Sequence, residues 1–184
     1  DRSIHFGARA IAVADTLPER REALQSFKLL LGASDLSALL DTSPPRKIDP
    51  DAIFSYRDLI VLFLAYFIDV TELAMGRVDL ADPASSCVMR YTRPGWFTSR
   101  TGNDHAEIVA LLRTGKGVLE KLGTGFWKAP LAYETALSAI RDARAHPGLI
   151  VEAGVFEATA SASCHLQLND ERLGIMILDI GAGT

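Results

Sequence analysis

Cysteine is scarce in this 184-residue chain; Cys87 and Cys164 are the two, far apart and in no paired spacing. They assemble no zinc pattern, and two buried free thiols in a reducing compartment fit better than a disulfide. An excess of positive charge is also lacking. Nineteen Lys and Arg against 23 Asp and Glu leave a net charge of −4, and Arg20, Arg21, Arg93, Arg100, Arg113, Lys116 and Lys121 are scattered among acids. A sequence-independent hold on nucleic acid needs many phosphate-neutralising cations in one patch, so nucleic acid is not an expected partner. Nor is there a long apolar run. The most apolar stretch, Leu59 to Ile68, has ten residues between Asp58 and Asp69, against roughly 20 for a membrane-spanning helix. It reads as a buried helix, and no membrane partner is expected. No leader pattern of basic then apolar residues opens the sequence, which makes the expected location cytoplasmic. Internal repeats and low-complexity tracts are missing as well.

What is present is an ordinary folding composition, 48% hydrophobic and 23% charged. Ser3 to Ile11 alternates weakly, as a strand running into a turn at Gly7 would. Leu24, Phe27, Leu30 and Leu31 have helical spacing, which predicts a helix over about Pro18–Leu31 with Gly32 as its stop. Thr42 to Lys47, with Pro44-Pro45, reads as a loop. A long helix follows from about Ser55 or Arg57 to Met75, ended by Gly76. Asp79 to Ser86 reads as a linker and Cys87 to Thr92 as a short strand halted by Pro94-Gly95. Asp104 to Leu122 is a second strong helix, with Asn103 or Asp104 as cap and Gly123 as its left-handed stop. A third helix spans about Tyr133–Ala145, ahead of His146-Pro147-Gly148. Leu149 to Val151 is a strand candidate, Ala158 to Leu166 a small-residue helix, and Gly174 to Ile180 a buried-strand pattern. Strands mixed with helices argue for a layered α/β fold.

The strongest chemical signal closes the sequence, where a strand pattern delivers Asp179 and then Gly181-Ala182-Gly183-Thr184. Glycines let a backbone approach a ligand without side-chain collision. Successive amides in such a turn form a nest for phosphate oxygens, and Thr184 adds a hydroxyl. Asp179 is a hard oxygen ligand suited to magnesium, most naturally through water, because that ion keeps its hydration shell. A hairpin turn with a solvated Asp fits the same letters.

Other segments extend the pattern in order. Phe6-Gly7-Ala8-Arg9-Ala10, Ser26-Phe27-Lys28-Leu29-Leu30-Leu31-Gly32, Arg93-Pro94-Gly95-Trp96-Phe97, Phe156-Glu157-Ala158-Thr159-Ala160-Ser161-Ala162 and Asp179 to Thr184 together resemble the nucleotide-binding lobe of the actin-like ATPases, on the 70-kDa heat-shock chaperone branch. The resemblance spans nearly the whole chain, with poor matching in the loops. It implies an actin-like, ribonuclease H-like lobe: a smaller, mostly helical subdomain over residues 1–82, and over 83–184 a mixed sheet with packed helices ending in the phosphate loop. It implies ATP or ADP with Mg2+ as ligands and an ATPase as the parent protein. Lys28 would stand by the γ-phosphate and the attacking water, as phosphoryl transfer by positioning and charge requires. Glu157 would hold water or metal, Asp179 would face magnesium through water, Gly181, Ala182, Gly183 and Thr184 would hold phosphate, and Pro94 would be the switch. Each has a plain alternative: a solvated helix lysine, a helix-start acid favoured by the dipole, a strand-ending proline.

The chain departs from the family pattern in three places. The first phosphate hairpin and the adenosine-binding half are expected as the remainder of this lobe and a second lobe. The stretch from Thr98 to Val155 is longer than its chaperone counterpart, and Arg100 does not align with the coupling arginine. A fragment short of turnover on its own is therefore expected, with an exposed sheet edge that invites a homodimer. An actin-like structural protein with nucleotide-regulated assembly is an alternative, and so is a nucleotide-free interaction domain. Other motifs are set aside. Thr114-Gly115-Lys116-Gly117 lacks the first glycine and the hydroxyl residue of a P-loop. His105-Ala106-Glu107 lacks a deaminase's paired cysteines. Ser161, Ser163, Cys164 and His165 lack a nucleophile turn. Trp96 and Trp127 suit packing.

Overall fold

A computed structural model describes residues 2–17, 22–25, 27–31, 33, 35–77, 88–93, 101–152, 155–156 and 176–178, with backbone alone at 28–29, 77, 92–93, 101–103, 155–156 and 176–178. In chain order the elements are β1 (Ser3–Ile4), α1 (Gly7–Ala14), α2 (Phe27–Leu31), α3 (Leu36–Leu40), α4 (Tyr56–Arg77), β2 (Val88–Arg93), α5 (Thr101–Leu122), a 3-10 turn (Phe126–Lys128), β3 (Leu131–Ala132), α6 (Tyr133–Asp142), β4 (Ile150–Val151), β5 (Val155–Phe156) and β6 (Met176–Leu178). The fold is mixed helix and strand with small sheets.

The apolar run does become a core helix. α4 buries Ile60, Val61, Leu62, Leu64, Ala65 and Ile68, and no residue from Tyr56 to Leu73 is exposed. Each large apolar side chain sealed there contributes about 2 kcal/mol of transfer free energy. With a mean hydropathy of 1.9 over Tyr56–Gly76, α4 is long and apolar enough to cross a membrane, and here it is the centre of packing. A helix that is apolar all round is buried all round. Its start is held by a reciprocal cap. Asp58 N donates to Ser55 Oγ at 3.2 Å, and Ser55 N donates to Asp58 Oδ2 at 2.8 Å.

α5 lies along α4. The chains approach closely because α5 carries Gly115, where a Cβ would stand 3.0 Å from Leu64 Cβ and 3.3 Å from Val61 O. Gly117 lets the segment after α6 cross; a Cβ there would stand 2.1 Å from Arg144 O. The Thr114–Gly117 stretch is thus a helix interior shaped for packing, in keeping with its rejection as a P-loop. α5 ends at Gly123, whose φ of +81° is the left-handed stop expected of it.

One hydrophobic cluster draws on both halves of the chain, joining Phe6, Leu36, Leu40 and Phe54 to Met89, Tyr91, Leu112, Val118, Ala136 and Leu149. β1 pairs with β3 in antiparallel register, Ser3 opposite Ala132 and Ile4 opposite Leu131.

Four expectations need correction. The helix expected over Pro18–Leu31 is interrupted, since residues 22–25 are irregular and Glu22 N donates to Lys47 O at 3.0 Å; its described helical part is α2. The strand expected over Ser3–Ile11 stops at Ile4 and gives way to α1, whose Gly-Ala-Arg-Ala-Ile-Ala-Val-Ala run is rich in alanine, the best helix former. α6 ends at Asp142 rather than Ala145, because Ala143 turns extended (φ −69°, ψ 135°). α5 begins at Thr101, which puts Asn103 and Asp104 inside its first turn instead of at the cap. The linker over 79–86 and the helix over 158–166 lie outside the described residues.

Candidate functional site

The second sheet is parallel throughout and is organised on β2. Val88 faces Ile150 and Met89 faces Val151 of β4; Thr92 and Arg93 face Val155 and Phe156 of β5. Met89, Arg90 and Tyr91 face Met176, Ile177 and Leu178 of β6. Met89 faces β4 and β6 together, so these two strands flank β2 on opposite edges. Parallel neighbours require a crossover, and the chain from β2 to β4 makes it through α5 and α6. β2 shows the period of a strand with one face on the core: Met89 and Tyr91 are buried, while Val88 and Arg90 are half-exposed.

Strand polarity sets what this sheet can do. β2, β5 and β6 leave it at the same end, and the residues that follow them are Pro94, Glu157 and Asp179. Those three, with Gly181, Ala182, Gly183 and Thr184, lie outside the described residues. For Lys28 the backbone is described, in α2, and α2 is docked on α4 by Phe27 stacking on Phe63 at 4.3 Å and 14°. The structure therefore brings together the strands that lead to the carboxylates, and fixes the short helix that carries the lysine. Among the described residues, no group of three or more His, Cys, Asp or Glu is placed to hold a metal ion.

The described side chains around the sheet form a set of polar ties. The Tyr91 hydroxyl lies 2.6 Å from His105 Nδ1, in the second turn of α5. Arg90 pairs with Glu152, whose N–H donates to Met89 O at 3.0 Å. Arg57 at the start of α4 pairs with Glu107 on α5, and its Nε meets Asp41 Oδ1 at 3.0 Å. Burial works against the Arg57 charge, but hydrogen bonds to Glu107 and Asp41 outweigh it and hold the guanidinium above its ordinary pKa. Lys116 pairs with Glu72 across the α4–α5 contact.

Two buried carboxylates were not singled out from sequence. Asp69 is 1% exposed, and its Oδ2 accepts from Gly125 N and Trp127 Nε1, each at 2.7 Å. It latches the turn after α5 onto α4 and gives Trp127 the packing role expected of it, with Tyr66 edge-on at 5.5 Å. Asp49 Oδ2 accepts from Ile53 N at 2.7 Å and Phe54 N at 2.8 Å, which closes the turn leading into α4. The sequence signal for Asp69 was available: an acid on the apolar side of a core helix must find donors.

Compared with protein-family models, curated proteins and solved structures, the chain matches none.

Proposed function

We propose that this chain is part of the nucleotide-binding lobe of an actin-like ATPase of the heat-shock chaperone type, acting on ATP with magnesium. The observation that carries the reading is the register of the second sheet. β2 and its parallel partners β5 and β6 finish at one end, directly before Pro94, Glu157 and Asp179. In open sheets of this kind ligands bind outside the carboxyl ends of the strands, and Asp179 is followed there by Gly181-Ala182-Gly183-Thr184.

In this account the turn at 181–184 gives amides and the Thr184 hydroxyl to phosphate oxygens. Asp179 and Glu157 hold the water shell of magnesium, which neutralises charge on the transferring phosphoryl group. Lys28 adds a cation beside the γ-phosphate. Pro94, ending β2, couples the sheet to the chain beyond it.

Isothermal titration of the full-length protein with Mg-ADP tests this. Saturable binding is expected, and Asp179→Ala should weaken it by at least about ten-fold, the scale of a charge-assisted contact. Absence of saturable heat, or an affinity untouched by Asp179→Ala, would overturn the proposal and leave a nucleotide-free interaction domain.

A further inference from the structure

The face of the second sheet that meets the helices carries a polar contact beside the buried Met89. Tyr91 is 4% exposed, its hydroxyl lies 2.6 Å from His105 Nδ1, and the two rings stack at 5.9 Å and 17°. In the Nε2–H tautomer the hydroxyl donates and Nδ1 accepts; in the Nδ1–H tautomer the direction reverses. Phenylalanine would fill the same space without the cost of burying a hydroxyl, so core filling alone does not account for tyrosine here.

Its place in the sheet does. Tyr91 faces Leu178 across the β2–β6 ladder, and Leu178 is the residue before Asp179. Two residues further along β2, Arg93 faces Phe156, the residue before Glu157. His105 sits near the start of α5, the helix that follows β2 in the chain. Glu107, two residues further along α5, is tied to Arg57 of α4. The core helices thus reach the last residues of β2 through His105.

We propose that Tyr91 and His105 are a positioning pair for the nucleotide site. Their hydrogen bond fixes β2 against α5 and so sets the strand ends from which Glu157 and Asp179 depart. Neither residue touches nucleotide in this account. The inference rests on the nucleotide reading above. When the pair is broken, the strand ends sample more arrangements, and affinity falls by the fraction of molecules in the competent one.

Mg-ADP titrations on the full-length protein, with Tyr91→Phe, His105→Ala and His105→Asn, test it. Tyr91→Phe and His105→Ala should each weaken affinity about five-fold, the equivalent of one net hydrogen bond. His105→Asn keeps an acceptor close to the position of Nδ1 and should stay within about two-fold of wild type. That rescue is a readout that loss of packing would not produce. If wild type binds and both Tyr91→Phe and His105→Ala bind equally well, the pair is structural only and this inference fails alone. If His105→Asn is as weak as His105→Ala, the hydrogen bond is not the cause, and the inference fails again. If wild type itself does not bind, the nucleotide reading fails and takes this inference with it.

Discussion

Gly117→Ala puts the packing of α5 to a direct test. A Cβ at Gly117 would stand 2.1 Å from the carbonyl oxygen of Arg144 and 3.1 Å from its carbon. That oxygen belongs to the backbone and has no rotamer to escape into, so the segment after α6 must move. The same segment is held on α5 by His146 N donating to Arg113 O at 2.9 Å and by His146 Nε2 facing Glu120 Oε1 at 3.0 Å. Two effects oppose each other. Alanine is a better helix former than glycine by about 1 kcal/mol. Overpacking against a fixed neighbour costs roughly 1–3 kcal/mol, and displacing the His146 amide forfeits about 1 kcal/mol more. Packing wins, with a net loss of about 2 kcal/mol, or a midpoint lowered by roughly 4–8 °C for a chain of this size. Gly76→Ala is the control: nothing lies within 4 Å of its Cβ position near the end of α4, so it should be neutral or stabilising by up to about 1 kcal/mol. Urea unfolding, read as the midpoint at constant slope, measures both. Gly117→Ala at or above wild-type stability would refute the close crossing of α5 and the Arg144 segment.

Other perturbations follow from contacts described above. Asp69→Ala strips Gly125 N and Trp127 Nε1 of their acceptor and should cost about 3 kcal/mol; an unchanged urea midpoint would show that the latch carries no energy. Ser55→Ala removes one arm of the α4 cap and should cost about 1 kcal/mol, seen as an earlier thermal transition, whereas a later one would contradict the cap. Burial first, and the nearby Arg9 charge second, lower the His5 pKa below its ordinary 6.5. The unfolded chain therefore takes up the proton first, and stability contributed by neutral His5 is present above pH 6.5 and lost as pH falls through the lowered value. His5→Gln should flatten the stability difference between about pH 7 and about pH 5; a difference equal to wild type would assign it to other groups.

Much of the helical framework was legible from local pattern. Leu59–Ile68 between two acids announced a core helix, and Gly123 announced the stop of α5, because apolar period and a left-handed terminus are properties of a few consecutive residues. The N-terminal region was harder. Leu24 and Phe27 have helical spacing, yet Glu22 is drawn instead into contact with Lys47, a partner that no local window contains. Asp69 looked like the end of an apolar run, and its meaning came only with Gly125 and Trp127 folding back over α4. The same holds for Tyr91 and His105, fourteen residues apart, which meet only because one lies on a buried strand and the other on the helix that crosses above it.

The two glycine pairs share their letters but not their place in the chain. Gly115 and Gly117 flank a lysine as a phosphate-binding loop would, but they lie inside a 22-residue helix, where their amides are already bonded within the helix and the missing Cβ atoms face Leu64 and Arg144. Gly181 and Gly183 follow β6, a strand that lies in register with β2 and leaves the sheet at the same end as β5. In the nucleotide proposal that second pair would form a turn whose amides lack a ladder partner and need an acceptor. In that proposal strand polarity, more than glycine content, would separate the two motifs. It also makes the nucleotide proposal depend on the parallel pairing of β6 with β2: were β6 antiparallel, Asp179 would emerge at the opposite end of the sheet from Glu157, and one magnesium could not face both.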